Sequence, residues 1–302
     1  MEGDDAYPEV FIGRFSAESL ADVEIQVQKA LQYEQASAGN HFENVTGIAS
    51  NEGPGDDNEL DYEHIRNMEA DLVNFTFTSS NEFFDGSQQD QDAPGNPTAD
   101  DVASAIDAGT GLILYTGHGS SESFSSSEFS NTDIAQLDNA SKLPIIWSVA
   151  CVNGEFDNGT CFGEAWLRAR QGNTPTGAAT VFMSSINQSW NPPMSAQDEM
   201  VDILSGLHAT NQGRTFGSIS LSGCMLMNDE YGAAGDEITD TWHIFGDPSL
   251  LVRTRTPLVL QVTHPESSII GESSVTIYSN VENARIALVQ SGNILATCLL
   301  YT

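Results

Sequence analysis

Three short stretches of the chain are almost entirely apolar and are bounded by turn residues. They lie at residues 111–115, 143–149 and 177–183. Strands that read this way are typical of parallel sheets covered by helices on both faces. Amphipathic helical patterns lie between and after them, at residues 161–171 and 196–207. This alternation predicts an α/β fold with an open, mostly parallel sheet and helices on both faces.

The first hundred residues continue this pattern less regularly. A strand is predicted at residues 10–15, followed by a helix that begins near residues 16–19 and runs to about Leu31. The other predicted elements are a strand at 45–49, a loop over 51–58, a helix at 61–73, a short strand at 74–78, an acidic surface loop over 79–98, and a helix from Thr98 or Asp100 to Ile106.

The pattern of apolar and polar residues changes near residue 256. Short alternating stretches follow at residues 259–263, 274–278 and 284–289, with turn residues between them. This pattern is typical of the start of a β-sandwich, although a complete sandwich domain needs about 100 residues. The sequence therefore predicts an α/β domain over residues 1–255 and a partial β-domain over residues 256–302.

The charge of the chain excludes one class of partner. Ten Lys and Arg residues stand against 43 Asp and Glu residues, so the formal net charge is −33. Binding to DNA or RNA depends on cationic side chains and is not expected. No stretch approaches the roughly 18 to 20 uncharged apolar residues of a membrane span. Residues 1–5 also lack the basic and apolar segments of a signal peptide.

Two of the predicted central strands lead into residues suited to nucleophilic catalysis. The strand at 111–115 is followed by His118, between Gly117 and Gly119, and the strand at 143–149 is followed by Cys151. Since neighbouring parallel strands end at one edge of a sheet, these side chains are expected to be neighbours. A histidine beside a thiol favours the thiolate and can protonate a departing amine. The residues alone also allow a buried structural thiol and an ordinary loop histidine.

Backbone amides near this pair could stabilise a developing negative charge. The N–H groups of Gly119 and Cys151 are the predicted oxyanion hole. The remaining cysteines show no CxxC pair and no zinc spacing with the histidines. Cys161 opens a predicted helix, where its thiol could be activated, but a packing role is favoured; Cys224 lies in an apolar context that indicates burial.

Longer motifs resemble the gingipain family of cysteine peptidases, its arginine-specific members in particular. The resemblance extends in order over nearly the whole chain. The matching motifs are VFIGRFS (10–16), YTGHGS (115–120), VACVNG (149–154), CFGEA (161–165), SINQSW (185–190), QDEM (197–200) and DTWHIFGDPSLLVRT (240–254).

The resemblance implies a caspase-like catalytic domain over residues 1–255, without its amino-terminal subdomain, followed by the start of an immunoglobulin-like domain. It implies that Cys151 is the nucleophile and His118 the general acid and base. Gly119 matches the oxyanion-hole donor, and Glu52 matches the acidic residue that orients the histidine. From the residues alone, Glu52 would be a solvated loop carboxylate.

The resemblance also implies a pocket for a basic side chain. Asp61 aligns with the specificity aspartate of the family, and a carboxylate at the bottom of a pocket selects a guanidinium through a bidentate pair. The loop before Asp61 is shorter than in the arginine-specific members, and Asp61 could equally be a favourable charge at a helix N-terminus. Trp190 and Met194 match residues of the pocket wall, although Trp190 could also be an ordinary core residue.

The expected function is hydrolysis of peptide bonds after a basic residue, arginine before lysine, in protein or peptide substrates. The resemblance further implies a secreted or cell-surface location and a structural Ca²⁺ with unassigned ligands. Two alternatives stay open: a related secretion-system sortase that passes the acyl group to an amine, and a non-catalytic adhesion module that keeps the fold.

Overall fold

The computed structural model describes residues 7–211, 213–267, 274–281 and 284–299. Residues 1–5, whose sequence lacks the segments of a signal peptide, lie outside this described part. The chain divides into two compact units, Met1–Thr256 and Pro257–Thr302. No helix among the described residues is long and apolar enough to cross a bilayer.

The first unit contains strands and helices in alternation. Its strands are β1 (Gly13–Arg14), β2 (Asn44–Ala49), β3 (Ser79–Phe84), β4 (Leu112–Thr116), β5 (Gly119–Ser120), β6 (Ser123–Phe124), β7 (Ile145–Val149), β8 (Arg170–Gln171), β9 (Thr174–Pro175), β10 (Thr180–Ser184) and β11 (Trp242–Phe245). Its helices are α1 (Leu20–Gln35), α2 (Asp61–Phe75), α3 (Ala99–Gly109), α4 (Asn131–Ile134), α5 (Phe162–Arg168), α6 (Asn191–Ser205), α7 (Phe216–Tyr231) and α8 (Ala233–Thr241), with 3₁₀ turns at Asn40–Glu43 and Asp56–Asn58.

A seven-stranded sheet forms the centre of this unit, in the order β1-β11-β10-β7-β4-β2-β3. Strands β10, β7, β4, β2 and β3 pair in parallel, whereas β11 is antiparallel to β10 and pairs in parallel with β1. The predicted open, mostly parallel α/β sheet is confirmed. Its three apolar strands, β4, β7 and β10, lie side by side at the centre.

Alternate side chains of these central strands enter two separate cores. Leu114 and Trp147 belong to the core shared with α2, α6, α7 and α8. Ile113 and Ile146 belong to the core shared with α3, α4 and α5. Because both faces are covered, both sets of side chains must be apolar, which explains the continuous apolar runs in the sequence.

The predictions for residues 74–98 were wrong in two places. Residues 74–75 continue α2, so there is no strand at 74–78, and the predicted acidic loop begins with the edge strand β3 at Ser79–Phe84. The inward-facing side chains of β3 include Glu82, which pairs with Arg66 at 2.6 Å. A polar residue on the buried face hides the alternation by which a strand is recognised.

Other elements differ from the prediction mainly in their limits. The helix expected at 196–207 begins at Asn191, because two prolines fit the first turn, where their missing N–H groups cost nothing. Helices α7 and α8 and strand β11 were not predicted. The second unit, in its described residues, contains two antiparallel pairs, β12 (Val262–Thr263) with β13 (Tyr278–Ser279) and β14 (Arg285–Gln290) with β15 (Asn293–Leu299). Its immunoglobulin-like character stays a prediction.

Candidate active site

The carboxyl ends of β4 and β7 carry the two residues predicted to react. These strands are adjacent and parallel, with Thr116 paired to Val149. The pairing continues beyond the strands, because the Gly117 amide donates to the Val149 carbonyl at 3.1 Å. His118 and Cys151 each lie two residues beyond the last paired position. The register therefore places them on the same edge of the sheet.

Glu52 follows the next strand, β2, and its carboxylate reaches the histidine. Oε2 of Glu52 lies 3.2 Å from Nε2 of His118, and the two side chains are 56% and 51% exposed. Hydrogen bonds fix the main chain at both Glu52 and His118. The Glu52 amide donates to Oγ of Ser50 at 3.1 Å, and the His118 carbonyl accepts hydrogen bonds from the Tyr115 hydroxyl at 2.5 Å and the Ser125 amide at 3.0 Å. His118 thus has a carboxylate partner, and hydrogen bonds to its carbonyl group fix its main chain.

The loop that carries Cys151 rests on the segment after β10. The Val152 amide donates to the Ile186 carbonyl at 3.0 Å, and the Ala150 amide donates to Oε1 of Gln188 at 3.0 Å. Sγ of Cys151 lies 3.9 Å from the Gln188 carbonyl oxygen. Gln188 was not among the predicted site residues, although it stands in the SINQSW motif. Its contacts join residues distant in sequence, and no local pattern reveals them.

Gly119 lies against the same loop. A β-carbon at Gly119 would stand 2.8 Å from the Cys151 carbonyl oxygen and 2.9 Å from the Ala150 β-carbon. Any larger residue would push the histidine loop away from the cysteine loop, so this position requires glycine. The structure brings the two predicted oxyanion-hole residues together.

The other cysteines lie in different environments. Burial raises the pKa of Cys161 to about 12, and that of Cys224 to about 12 as well. Cys161 stands at the N-cap of α5, yet burial outweighs the hydrogen bonds that would favour its thiolate. Cys298 is exposed and belongs to the second unit. All four cysteines are free, and Cys151 is the partly exposed thiol of the first unit.

Asp61 is the first residue of α2 and is fully buried. Its Oδ1 accepts a hydrogen bond from Nε1 of Trp190 at 2.6 Å, and its Oδ2 accepts one from the Ser50 hydroxyl. Burial raises the pKa of Asp61, and the two hydrogen bonds offset part of that effect. Asp61 is therefore both the first helical residue and a buried carboxylate bonded to the tryptophan predicted to form the pocket.

Trp190 and Met194 lie at the start of α6, Trp190 as the residue before the helix and Met194 within its first turns. The indole ring meets the His118 ring edge-on, with centroids 5.0 Å apart. Met194 is buried, and a β-carbon at Gly55 would collide with its Sδ. A narrow cleft, called here the cysteine cleft, is lined by Thr116, Gly117, Val149, Ala150, Cys151, Gln188, Ser189 and Trp190.

Gln197 of α6 makes hydrogen bonds to residues of α2, β4 and β7. It was not among the predicted site residues. Its Oε1 accepts from the Thr116 hydroxyl at 2.7 Å and lies 3.1 Å from Nε2 of the buried His64. Its Nε2 donates to the carbonyls of Tyr115 and Trp147 at 3.3 and 3.2 Å. One side chain therefore connects α2, α6, β4 and β7 beneath the site.

Among the described residues, no cluster of ionisable side chains marks a position for the expected calcium ion. Within residues 7–211, 213–267, 274–281 and 284–299, no group of three His, Cys, Asp or Glu side chains is arranged to hold a metal ion. A calcium site in the described part of the chain would therefore include backbone or amide carbonyl oxygens, which also bind Ca²⁺, and no role in the chemistry is assigned to the ion.

Comparison with known proteins gives a consistent result. The model of peptidase family C25 matches residues 1–253. The chain is 38% identical to gingipain R2 of Porphyromonas gingivalis strain ATCC BAA-308 / W83, over 99% of the chain and 40% of that protein. It is also 38% identical to gingipain R1 of Porphyromonas gingivalis, of which it covers 30%. The chain thus spans well under half the length of these relatives.

A solved structure extends the agreement to the fold. The crystal structure of the Arg-specific cysteine proteinase gingipain R superposes with a TM-score of 0.91 at 36% identity, over 99% of this chain and 68% of that one. The family match covers most of the chain, and the predicted resemblance is confirmed. The chain belongs to peptidase family C25, the family of the gingipains.

Proposed function

We propose that the chain carries the catalytic centre of a cysteine endopeptidase that cleaves after a basic residue, arginine before lysine. The observation that carries this proposal is the contact between Glu52 and His118 at 3.2 Å, on the sheet edge that also bears the partly exposed Cys151. A nucleophile, a base and an orienting carboxylate are the parts that acyl transfer requires.

The reaction begins when His118 takes up the proton of the Cys151 thiol and the sulfur attacks the substrate carbonyl carbon. A carbon–sulfur bond forms, and the π electrons of the carbonyl move to its oxygen. The Gly119 and Cys151 amides are the donors for the resulting oxyanion. His118 gives its proton to the departing amine, which leaves a thioester on Cys151. His118 then removes a proton from a water molecule, whose oxygen attacks the thioester carbon. The carbon–sulfur bond breaks, the acid product leaves, and His118 returns the proton to the Cys151 sulfur.

Asp61 is assigned as the residue that binds the basic side chain before the cleaved bond. A guanidinium presents two parallel N–H groups, which match the two oxygens of a carboxylate. The position of Asp61 supports this assignment, because it is bonded to Trp190, which also lines the cysteine cleft. Met194 lies near Trp190, because a β-carbon at Gly55 would stand 2.3 Å from the Met194 sulfur and 3.1 Å from the indole ring.

Matched peptides that differ only in arginine, lysine or alanine before the scissile bond test the proposal. Arginine cleavage should exceed lysine cleavage, and the alanine peptide should stay intact. Equal cleavage of all three would contradict a basic specificity. A parallel reaction with an added primary amine separates a sortase, because its main product would carry the mass of the amine. No turnover with either acceptor would favour the non-catalytic adhesion module.

Replacing Glu52 with glutamine is expected to lower kcat by roughly tenfold, with little change in KM. The imidazole loses its charged partner, but a pair this exposed is weakened by solvent, so the loss stays well below that of a general base. Glu122→Gln, an exposed change in the loop after His118, is the matched control and should retain wild-type rates. An unchanged kcat in Glu52→Gln would remove the orienting role.

A structural calcium ion is part of the proposal, on the strength of the family resemblance. Calcium is expected to raise the melting temperature relative to a sample with chelator, because a ligand that binds the folded state stabilises it. Magnesium at equal ionic strength is the control. Identical melting curves in all three samples would count against the site.

A secreted or cell-surface location is also proposed on the strength of the family resemblance. Recovery of the protein only from the cytosolic fraction would contradict it.

A further inference from the structure

His64 is a buried histidine whose two ring nitrogens both face oxygen atoms. It lies on α2 and has no exposed surface. Its Nε2 lies 3.1 Å from Oε1 of Gln197, and its Nδ1 lies 3.4 Å from Oδ1 of Asp198 and 3.7 Å from Oε2 of Glu59. A neutral imidazole has an N–H on one nitrogen only, whereas an imidazolium has one on both. The surroundings of the ring therefore favour the charged form.

The orientation of the Gln197 amide is fixed by its other hydrogen bonds. Its Nε2 donates to the carbonyls of Tyr115 and Trp147, so the reversed amide would place an oxygen against two carbonyl oxygens. Its Oε1 therefore faces His64 and the Thr116 hydroxyl, which donates to it at 2.7 Å. The His64 nitrogen on this side must then carry a proton.

The two carbonyls bound by Gln197 belong to the strands that lead to the catalytic residues. Tyr115 of β4 lies three residues before His118, and Trp147 of β7 lies four residues before Cys151. A shift of the Gln197 side chain would therefore reach both strand ends.

We propose that His64, as an imidazolium, is a positioning residue for the reaction at Cys151. Its Nε2–H fixes Gln197, which joins the ends of β4 and β7, and its Nδ1–H faces Asp198 and Glu59. His64 acts through Gln197 and takes no part in the bond changes. This inference rests on the proposed function, because it assigns His64 a role in the peptidase reaction.

The charged groups around His64 come from three parts of the chain. Glu59 precedes α2, Asp61 begins α2, and Asp198 lies on α6. Burial lowers the pKa of His64, but its two closest carboxylates and Gln197 raise it by more, so this pKa lies above its usual value. The pKa of Glu59 is lowered, mainly by His64, and burial raises the pKa of Asp198 to about 7. Both carboxyl groups are therefore ionised in mildly alkaline solution.

Loss of the imidazolium charge would release Gln197. A hydrogen bond to a carboxylate is charge-assisted and stronger than one to an amide oxygen, so the remaining proton stays on Nδ1. The Nε2 lone pair of His64 then faces Oε1 of Gln197. Because the pKa of His64 is raised, the wild-type chain keeps the imidazolium through neutral pH and loses it as the pH rises through that pKa.

A ¹H–¹⁵N spectrum of the histidine rings measures the protonation of His64 directly. The His64 signals are those that are absent from His64→Gln and that shift most in Asp198→Asn. The exposed His264 is the internal reference. Both nitrogens of His64 should be protonated at neutral pH, with a pKa above that of His264. A neutral His64 at a pH where His264 is still charged would overturn the proposal.

Asp198→Asn keeps the shape of the side chain and removes one carboxylate beside Nδ1, so it should lower the pKa of His64. Its kcat for arginyl peptides, relative to wild type, should fall several-fold from mildly acidic to mildly alkaline pH, with little change in KM. Asp202→Asn, one turn further along α6, is the matched control and should follow wild type. Identical kcat profiles in Asp198→Asn and wild type would overturn the positioning role.

The rate at which iodoacetamide alkylates Cys151 separates this inference from the proposed function, because it requires no peptide cleavage. In Asp198→Asn the rate should fall relative to wild type as the pH rises, since a displaced His118 stabilises the thiolate less. If wild type cleaved no peptide but this difference were present, the proposed function alone would fail. Cleavage by wild type with equal alkylation of both proteins would overturn the positioning role alone.

Discussion

Replacing Cys151 with alanine is expected to lower kcat/KM for arginyl peptides by about 10⁴-fold or more, because no other group nearby can form the thioester. The thiol stands at the end of a central strand, and its loop is fixed by hydrogen bonds from Ala150 and Val152. Removing one sulfur from this partly exposed position should leave the fold intact. Steady-state rates at matched protein concentrations measure the loss.

Cys161→Ala is the matched control for this change. It removes a thiol that is buried and whose pKa is raised to about 12, so it should lower the melting temperature and keep the rate within a few-fold of wild type. If Cys151→Ala cleaved arginyl peptides as fast as wild type, the assigned nucleophile would be wrong. A large loss in Cys161→Ala at an unchanged melting temperature would point to the same conclusion.

Asp61→Asn is expected to lower kcat/KM for arginyl peptides by roughly 10²- to 10³-fold, since removing one partner of a buried charge pair costs several kcal/mol. Asparagine has nearly the same shape and can still accept the bond from Trp190, so the pocket should keep its form. Alkylation of Cys151 by a small reagent should proceed at the wild-type rate. The defect would then lie in substrate recognition, with the nucleophile unaffected.

Asp57→Asn is the control, because Asp57 is exposed, lies in the 3₁₀ turn before α2 and has a positive φ of 51° that asparagine tolerates. It should behave as wild type.

The pH dependence supplies a second readout. Burial raises the pKa of Asp61, so this carboxyl takes up a proton at a higher pH than an exposed aspartate. Arginyl KM should therefore rise on acidification in wild type and lose that dependence in Asp61→Asn.

The parts of the fold that sequence predicts are those where one physical requirement dominates. Strands β4, β7 and β10 must be apolar on both faces, and that pattern is visible without knowing the neighbours. Strand β3 lies at the edge of the sheet and turns Glu82 inward to pair with Arg66, a residue on a separate helix. Its limits depend on a tertiary contact, so the local sequence misleads.

The residues of the candidate site also fall into those that the local sequence predicts and those that depend on tertiary contacts. The strand-end positions of His118 and Cys151 follow from the order of strands, and the structure places both on one edge. The roles of Ser50, Gln188 and Gln197 depend on hydrogen bonds between segments far apart in the chain. Such residues lack a distinctive local pattern, and their contribution is visible only once the chain is folded.

A peptide map tests whether Cys151 is the nucleophile of an arginine-specific site. The protein first reacts with a short peptide that ends in arginine and carries an electrophile in place of the scissile carbonyl group. We expect a single adduct on Cys151, competition by agmatine, which is a guanidinium compound without a scissile bond, and no adduct from the matched alanine peptide. An adduct on Cys161, Cys224 or Cys298 in preference to Cys151, or equal labelling by the alanine peptide, would contradict it.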